Sequence, residues 1–414
     1  MDISSQYRLQ NIVRCYKNQL LSKPLSLKHI KAVEAMSSCR TAERGVSAYE
    51  CSHEDRHQSL IAHSCRHRSC SLCSARTRLL WLNEQKERLL DCPHFHCVFT
   101  LPQEYRVLWQ YNQRWFTATF FDVVRSTLMD LMKDKKGPGV VPGVLMAMHT
   151  WGRQLTLHPH IHCVVTGGGI DQKNQWASTG KYLLPGRQVR ALYRGRFQAR
   201  IKEAYESNEL RLPADQNREV FYANYKAAYA KTWCVRIEDQ YAHGKGVLVY
   251  LSRYLKGGPI HPSQIVRCDA ERIGFRYKDH RDKRSKVMSV KPEEFLRRLL
   301  LHVPEKGQHM VRHYGLYSAA AKEKRAKCRE QLGGLHDRLE SESKQEKFKQ
   351  EKLTLACRCC GSRLSWRWSI YPKRIKGNSY RVESTRIEHP VRHIQQIDEA
   401  DTSVIKKRSP RMRV

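Results

Sequence analysis

The stretch Leu157-His158-Pro159-His160-Ile161-His162-Cys163-Val164-Val165-Thr166-Gly167-Gly168-Gly169 carries the central signal of this chain. Its apolar run predicts a strand over 159–166, followed by a turn at Gly167-Gly168-Gly169. Side chains alternate across a strand, so His160 and His162 share one face and Ile161 takes the other. Two neutral imidazoles on one face can bind a single divalent metal. Alone, such a pair is more often half-buried structure. A second segment changes that weight. Val247-Leu248-Val249-Tyr250-Leu251-Ser252-Arg253-Tyr254-Leu255-Lys256 lies in a short apolar helix expected over 245–256 and stopped by Gly257-Gly258-Pro259. Tyr250 and Tyr254 then sit one turn apart on one helix face. The plain reading is an aromatic core stripe. The chemical one is a pair of nucleophiles: a tyrosyl oxygen can attack a phosphodiester and hold one DNA end covalently. A metal on the histidines would polarise the scissile phosphate. Two tyrosines would permit two linked transesterifications without ATP.

Around this pair, Phe95 to Pro102 reads as a strand stopped by proline, and 143–149 as another. Helical patterns run through residues 1–35, 75–90, 105–133, 187–231 and 293–303. Arg272 to Arg281 alternates like a surface strand, and 319–352 is a Lys/Glu-rich helix or linker. His94-Phe95-His96 repeats the His-x-His pattern, but its surroundings favour His160 and His162 as the metal pair.

Cys39, Cys51, His53, His57, His63, Cys65, His67, Cys70 and Cys73 crowd into residues 39–73. Cys70-Ser71-Leu72-Cys73 has the spacing that lets two thiolates reach one zinc ion. The expected ligands are Cys51, His53, Cys65, Cys70 and Cys73, closing a structural site. Cys357-Arg358-Cys359-Cys360-Gly361 is half of a zinc ribbon with no cysteine after it and Cys328 nearest before it.

The 414 residues hold 75 Lys and Arg against 40 Asp and Glu, a formal net charge of +35, and mean hydropathy is −0.66. The length suggests two or three domains, and 40% hydrophobic content suffices for a core. No apolar run is long enough to span a membrane, and Met1-Asp2-Ile3-Ser4-Ser5-Gln6 is no signal peptide, so a cytoplasmic, nucleoid-associated protein is expected. In such a compartment the 15 cysteines read as ligands and thiols, not disulfides. So large a positive charge points to nucleic acid. Arg66, Arg68, Arg76 and Arg78, the stretch 187–202 and the stretch 267–286 are candidate phosphate contacts, with Tyr193 and Phe197 as base-stacking aromatics.

His-hydrophobic-His with Tyr-x-x-x-Tyr resembles the two-tyrosine HUH endonucleases, and more closely the rolling-circle transposases of the IS-ninety-one family of insertion sequences. The likeness covers most of 36–318 and includes Cys39-Arg40-Thr41, Ser64 to Cys73, Phe95 to Pro102, His149-Thr150-Trp151-Gly152, His158 to Gly169, Tyr250 to Lys256, Phe275 to Asp279 and Arg312-His313-Tyr314-Gly315. It implies an α+β fold, with a zinc-binding domain over 1–92, a nuclease domain over 93–318 and a charged linker and basic tail over 319–414. The nuclease sheet would be antiparallel and flanked by helices. His160 and His162 would hold magnesium or manganese, and Tyr250 and Tyr254 would be the nucleophiles. The third ligand would be His158, with His96 and His149 as alternatives, since Gly258 stands where single-tyrosine relatives carry one. The implied activity is nicking and strand transfer of single-stranded DNA at element ends through a 5′-phosphotyrosine. Partners would be those ends, target DNA and, as no Gly-x-x-x-x-Gly-Lys-Ser/Thr loop occurs, a host helicase and replication machinery. Departures are Glu54, which breaks a CxxC at Cys51, and Ser69, where a histidine is usual. A zinc-dependent regulator without catalysis and a plasmid replication initiator or relaxase are the rival readings.

Overall fold

A computed structural model of the protein describes residues 9–53, 56–242, 248, 258–279, 281–333, 355–372 and 384–388. They form two compact units, one within 1–39 and 64–352 and the other within 40–63 and 353–414. The helix expected over 245–256, with Tyr250 and Tyr254, lies outside the described residues apart from Leu248, as do 334–354, 373–383 and 389–414 of the linker and tail.

In chain order the helices are α1 Leu9–Cys15, α2 Lys17–Leu21, α3 Leu27–Ser37, α4 Ser71–Arg88, α5 Arg106–Tyr111, α6 Gln113–Lys133, α7 Gly186–Glu206, α8 Arg218–Ala230, α9 Pro292–Leu301 and α10 Lys322–Gln331. The strands are β1 Val46–Cys51, β2 Gln58–Ala62, β3 His94–Thr100, β4 Val141–Trp151, β5 Leu157–Ile170, β6 Trp176–Ser178, β7 Val235–Ile237, β8 Ile265–Cys268, β9 Ile273–Lys278, β10 Ser285–Val290, β11 Val311–Gly315, β12 Leu364–Pro372 and β13 Ser384–Glu388.

The larger unit is organised by an antiparallel sheet in the order β11-β4-β5-β3-β7, with β6 also on β5. One face is apolar throughout. Phe95, Cys97 and Phe99 of β3, Val144, Met146 and Met148 of β4, and Ile161, Cys163 and Val165 of β5 are all buried there. Covering them, α6 brings Phe116, Phe120, Val124 and Leu128, and α7 brings Val189, Tyr193, Phe197 and Ile201. Both sets recur at helical spacing, so each helix turns one stripe to the sheet. The other face carries His94, His96, His149, His160 and His162 beside Leu145 and Val164. A second core joins α1 and α3 (Leu9, Val13, Val33, Met36) to α9 (Phe295, Leu296, Leu299, Leu300) and β9 (Ile273, Phe275). Pro292 starts α9, with Glu293 and Glu294 in its first turn, where helix dipole and acid agree. The smaller unit is a sheet in the order β13-β12-β1-β2.

The expected antiparallel sheet flanked by helices is present. One local expectation is overturned: Gly167-Gly168-Gly169 is not a turn, because β5 runs on to Ile170. A Cβ there would lie 3.1 Å from the Pro93 carbonyl oxygen at Gly167, 2.6 Å from that of Ala177 at Gly168 and 2.3 Å from that of Val141 at Gly169. The glycines let three strands crowd against β5. Pro159 lies at the β4–β5 irregularity between His149 and Trp151, where its missing N–H costs little.

Candidate functional site

The register builds the site. His149 on β4 is paired with His160 on β5, and His162 follows two positions on, so three imidazoles share one face. The ligand atoms of His149, His160 and His162 all lie within 4.8 Å of one another. His149 and His162 are buried, and His160 is half-buried. His160 Nδ1 donates to the His158 carbonyl oxygen at 2.6 Å, which leaves the Nε2 lone pair for a ligand. His162 Nδ1 lies 2.8 Å from His96 Nε2, and His96 Nδ1 lies 3.2 Å from Glu238 Oε2. With each Nδ1 donating along this chain to the carboxylate, His162 also presents Nε2. Burial, and then the neighbouring imidazoles, hold His149 and His162 well below the ordinary imidazole range. Burial brings His160 down to about 4. All three are neutral nitrogen donors at neutral pH, as a metal requires. Three such donors on a rigid sheet fit one divalent cation, and nitrogen suits manganese better than magnesium.

His158, expected as third ligand, stands outside this group. Its Nδ1 accepts from the Arg106 guanidinium at 3.2 Å. His149, brought opposite His160 by the β4–β5 pairing, lies with His160 and His162 instead. His96 sits one step behind, as an orienting partner of His162. His94 is structural: its Nε2 lies 2.6 Å from the Tyr317 hydroxyl and its Nδ1 2.7 Å from the Cys92 carbonyl oxygen, and it is fully buried. Leu248, two residues before Tyr250, belongs to the apolar cluster of Leu145 and Val164 on the histidine face. Tyr193 and Phe197 are fully buried under the sheet, so they cannot stack on bases as expected. They are the apolar stripe of α7, which is basic only on its outer side.

The cysteines divide differently from the expected set. Cys39, Cys65, Cys70 and Cys73 come together, with Sγ–Sγ distances of 3.5 Å from Cys73 to both Cys39 and Cys65, and 3.6 Å from Cys70 to Cys39. Cys70 caps α4 and Cys73 lies in its first turn, while Cys39 follows α3. Hydrogen bonds from Cys39 and then Cys65 lower the Cys73 thiol and bring Cys70 to about 7. The buried Gln10 amide donates to Cys70 Sγ at 3.1 Å. Four thiols so placed can hold a structural zinc. Cys51 is not among them; it lies with His57, Cys357 and Cys360. His53, the other expected ligand, stacks on His57 at 5.9 Å and belongs to neither group.

Comparison with known proteins agrees with this layout. Residues 143–326 match a family described as "Putative transposase", and residues 9–101 match one described as "Transposase zinc-binding domain". The chain is 33% identical over 317 residues to "Putative transposase y4qJ" of Sinorhizobium fredii, covering 75% of this chain and 79% of that one. It belongs to the IS-ninety-one family of insertion-sequence transposases. It is also 29% identical over 309 residues to "Transposase for insertion sequence element IS801" of Pseudomonas savastanoi pv. phaseolicola, covering 73% of each. No solved structure gives a significant match. As a transposase it is a DNA-processing enzyme with an amino-terminal zinc-binding domain. Among the described residues no helix is long and apolar enough to cross a membrane. Two residues that these groups include are not first choices from the sequence: Cys39, which belongs to the crowded stretch 39–73, and His149, one of the alternatives for the third ligand.

Proposed function

We propose that the transposase nicks single-stranded DNA at the ends of its element and transfers the strand through a 5′-phosphotyrosine, in a rolling-circle transposition. The observation that carries this reading is the convergence of His149, His160 and His162 on one face of an antiparallel sheet. A divalent metal, manganese or magnesium, would supply Lewis-acid polarisation of the scissile phosphate. The three imidazoles would hold it through their neutral ring nitrogens, and Glu238 and His96 would fix the orientation of His162. Tyr250 or Tyr254 attacks the phosphorus, the phenol proton is lost, and the 3′-oxygen leaves as a hydroxyl. The new bond stores the energy of the broken one, so strand transfer reverses the step onto a new 3′ end. Zinc on Cys39, Cys65, Cys70 and Cys73 would fix α3 to α4. The positive charge suits single-stranded element ends and target DNA, and binding should weaken steeply with salt. Unwinding would fall to a host helicase.

The test uses single-stranded oligonucleotides from both flanks of the gene with manganese. A denaturation-resistant protein–DNA adduct is expected, lost in a Tyr250→Phe/Tyr254→Phe double variant and on chelation. Folded, DNA-binding protein that forms no adduct on any flank would overturn the reading.

A further inference from the structure

We propose that Cys51, His57, Cys357 and Cys360 hold a second structural zinc ion, which clasps the β1–β2 hairpin to the turn that leads into β12. The ligand atoms of these four residues lie within 4.8 Å of one another. Their spacings are those of a zinc tetrahedron. Zinc–sulfur bonds of about 2.3 Å and zinc–nitrogen bonds of about 2.05 Å, meeting at the tetrahedral angle, set sulfurs about 3.8 Å apart and a sulfur–nitrogen pair about 3.6 Å apart. Cys360 Sγ lies 3.8 Å from Cys51 Sγ, and Cys51 Sγ lies 3.6 Å from His57 Nδ1. A disulfide would need the sulfurs at about 2.05 Å and would leave the imidazole and Cys357 unused.

The backbone of each half is shaped for the purpose. Residues 357–361 form a tight turn, with Gly361 N–H donating to the Cys357 carbonyl at 3.0 Å and Cys357 N–H to that of Ser362 at 2.8 Å. Gly361 has φ +74°, a conformation that side-chain-bearing residues rarely adopt. The turn leaves Cys359 exposed and outside the group, while Cys357 is buried. On the other side the Cys51 N–H donates to the His57 carbonyl at 3.1 Å, closing the loop between β1 and β2. Ser52 N–H donates to the Arg363 carbonyl at 3.2 Å, and Cys51 pairs with Leu364, so the two halves are held in register. The apolar support is small: the buried residues of this cluster are Cys51, Cys357 and Leu364. So thin a core does not hold a small unit by itself, and a metal is the usual substitute. Three thiolates and an imidazole select zinc over the harder cations. The other quartet has four sulfurs of its own and borrows none of these, so the proposal is independent of the nuclease reading.

The test is metal content of the full chain, purified under reducing conditions. Two zinc ions per chain are expected in the wild type and in Cys359→Ser, and one in Cys357→Ser/Cys360→Ser. One zinc in the wild type, or two retained in that double variant, would overturn the proposal. Should the double variant fail to fold, His57→Cys decides. With cobalt in place of zinc, it should keep two ions and move the visible bands toward those of an all-sulfur site. An unchanged spectrum would exclude His57. A thiol titration of the unfolded, metal-free wild type should find all 15 cysteines free. Two fewer would mean a Cys51–Cys360 disulfide, and the zinc assignment would fall.

Discussion

His94-Phe95-His96 on β3 and His160-Ile161-His162 on β5 are the same pattern on adjacent strands of one sheet, turned to the same face. The first is closed off. His94 is held between Tyr317 and the Cys92 carbonyl, and His96 is spent between Glu238 and His162. The second meets His149 on β4 and leaves His160 less buried than either histidine of the first pair. Alternation along a strand sets which way a histidine faces. Its role is set by what the neighbouring strand places opposite it. Because β5 lies between β4 and β3, it gains one imidazole partner from each side.

The strongest attempt to break this contrast is mutational. His160→Ala or His162→Ala should lower manganese-dependent adduct formation by about a thousandfold or more. His94→Ala should leave it within about threefold and instead destabilise the fold by about 1–3 kcal/mol, since Tyr317 loses its buried partner. The reverse result, in adduct gels and urea melts, would sink the assignment. A finer cut separates His149 from His158. His149→Ala should weaken manganese binding by about a hundredfold, and His158→Ala by less than about threefold, in calorimetric titrations. Equal losses would return His158 to the ligand set. Smaller again is Glu238→Gln, which removes the carboxylate behind His96; manganese affinity should fall by about tenfold, at the low end for an outer-shell partner.

The smallest expected effect is one of pH. His160 has its folded pKa lowered to about 4, and His149 and His162 are lowered as well. A lowered imidazole pKa keeps the neutral, ligating form down to lower pH, and competition from protons begins only as pH falls toward that value. Manganese affinity should therefore change by less than about twofold from pH 7.5 to 5.5. Imidazoles titrating at the ordinary value of about 6.5 would lose far more over the same range. A steep fall below pH 6.5 in manganese binding followed by electron paramagnetic resonance would show the site to be wetter than its burial implies.

Much of the larger unit could be read in advance, because its elements carry their own periodicity. The apolar run at 95–102, the aromatic spacing through Phe116, Phe120 and Phe121, and the alternation around His160 each specify an element locally. What escaped depends on partners remote in sequence. His149 is one of three alternatives in the sequence, and strand register singles it out as the one beside His160 and His162. Tyr193 and Phe197 looked available on a basic helix, yet residues four apart on α7 form its buried stripe. Nearness in sequence groups Cys51 with Cys65, Cys70 and Cys73, whereas the segment 40–63 belongs to the smaller unit and takes Cys51 with it. The half ribbon at Cys357 and Cys360 showed no mate because its mate precedes it, at Cys51 and His57. Tyr250 and Tyr254 are proposed as nucleophiles on their sequence spacing, and Leu248, two residues before Tyr250, packs on the histidine face.

That interruption has a consequence for the order in which the molecule is made. The β1–β2 hairpin is complete at Ala62, but its partner strand β12 begins only at Leu364. At about 5–20 residues per second a ribosome needs roughly 15–60 s to cover that interval. Throughout it the nascent β1 has an unpaired edge, open to the wrong strand. Sheet closure can occur only after translation has passed β12, so the smaller unit is the last to finish although it is among the first to be started. A chain cut short anywhere between would carry that open edge for its whole life.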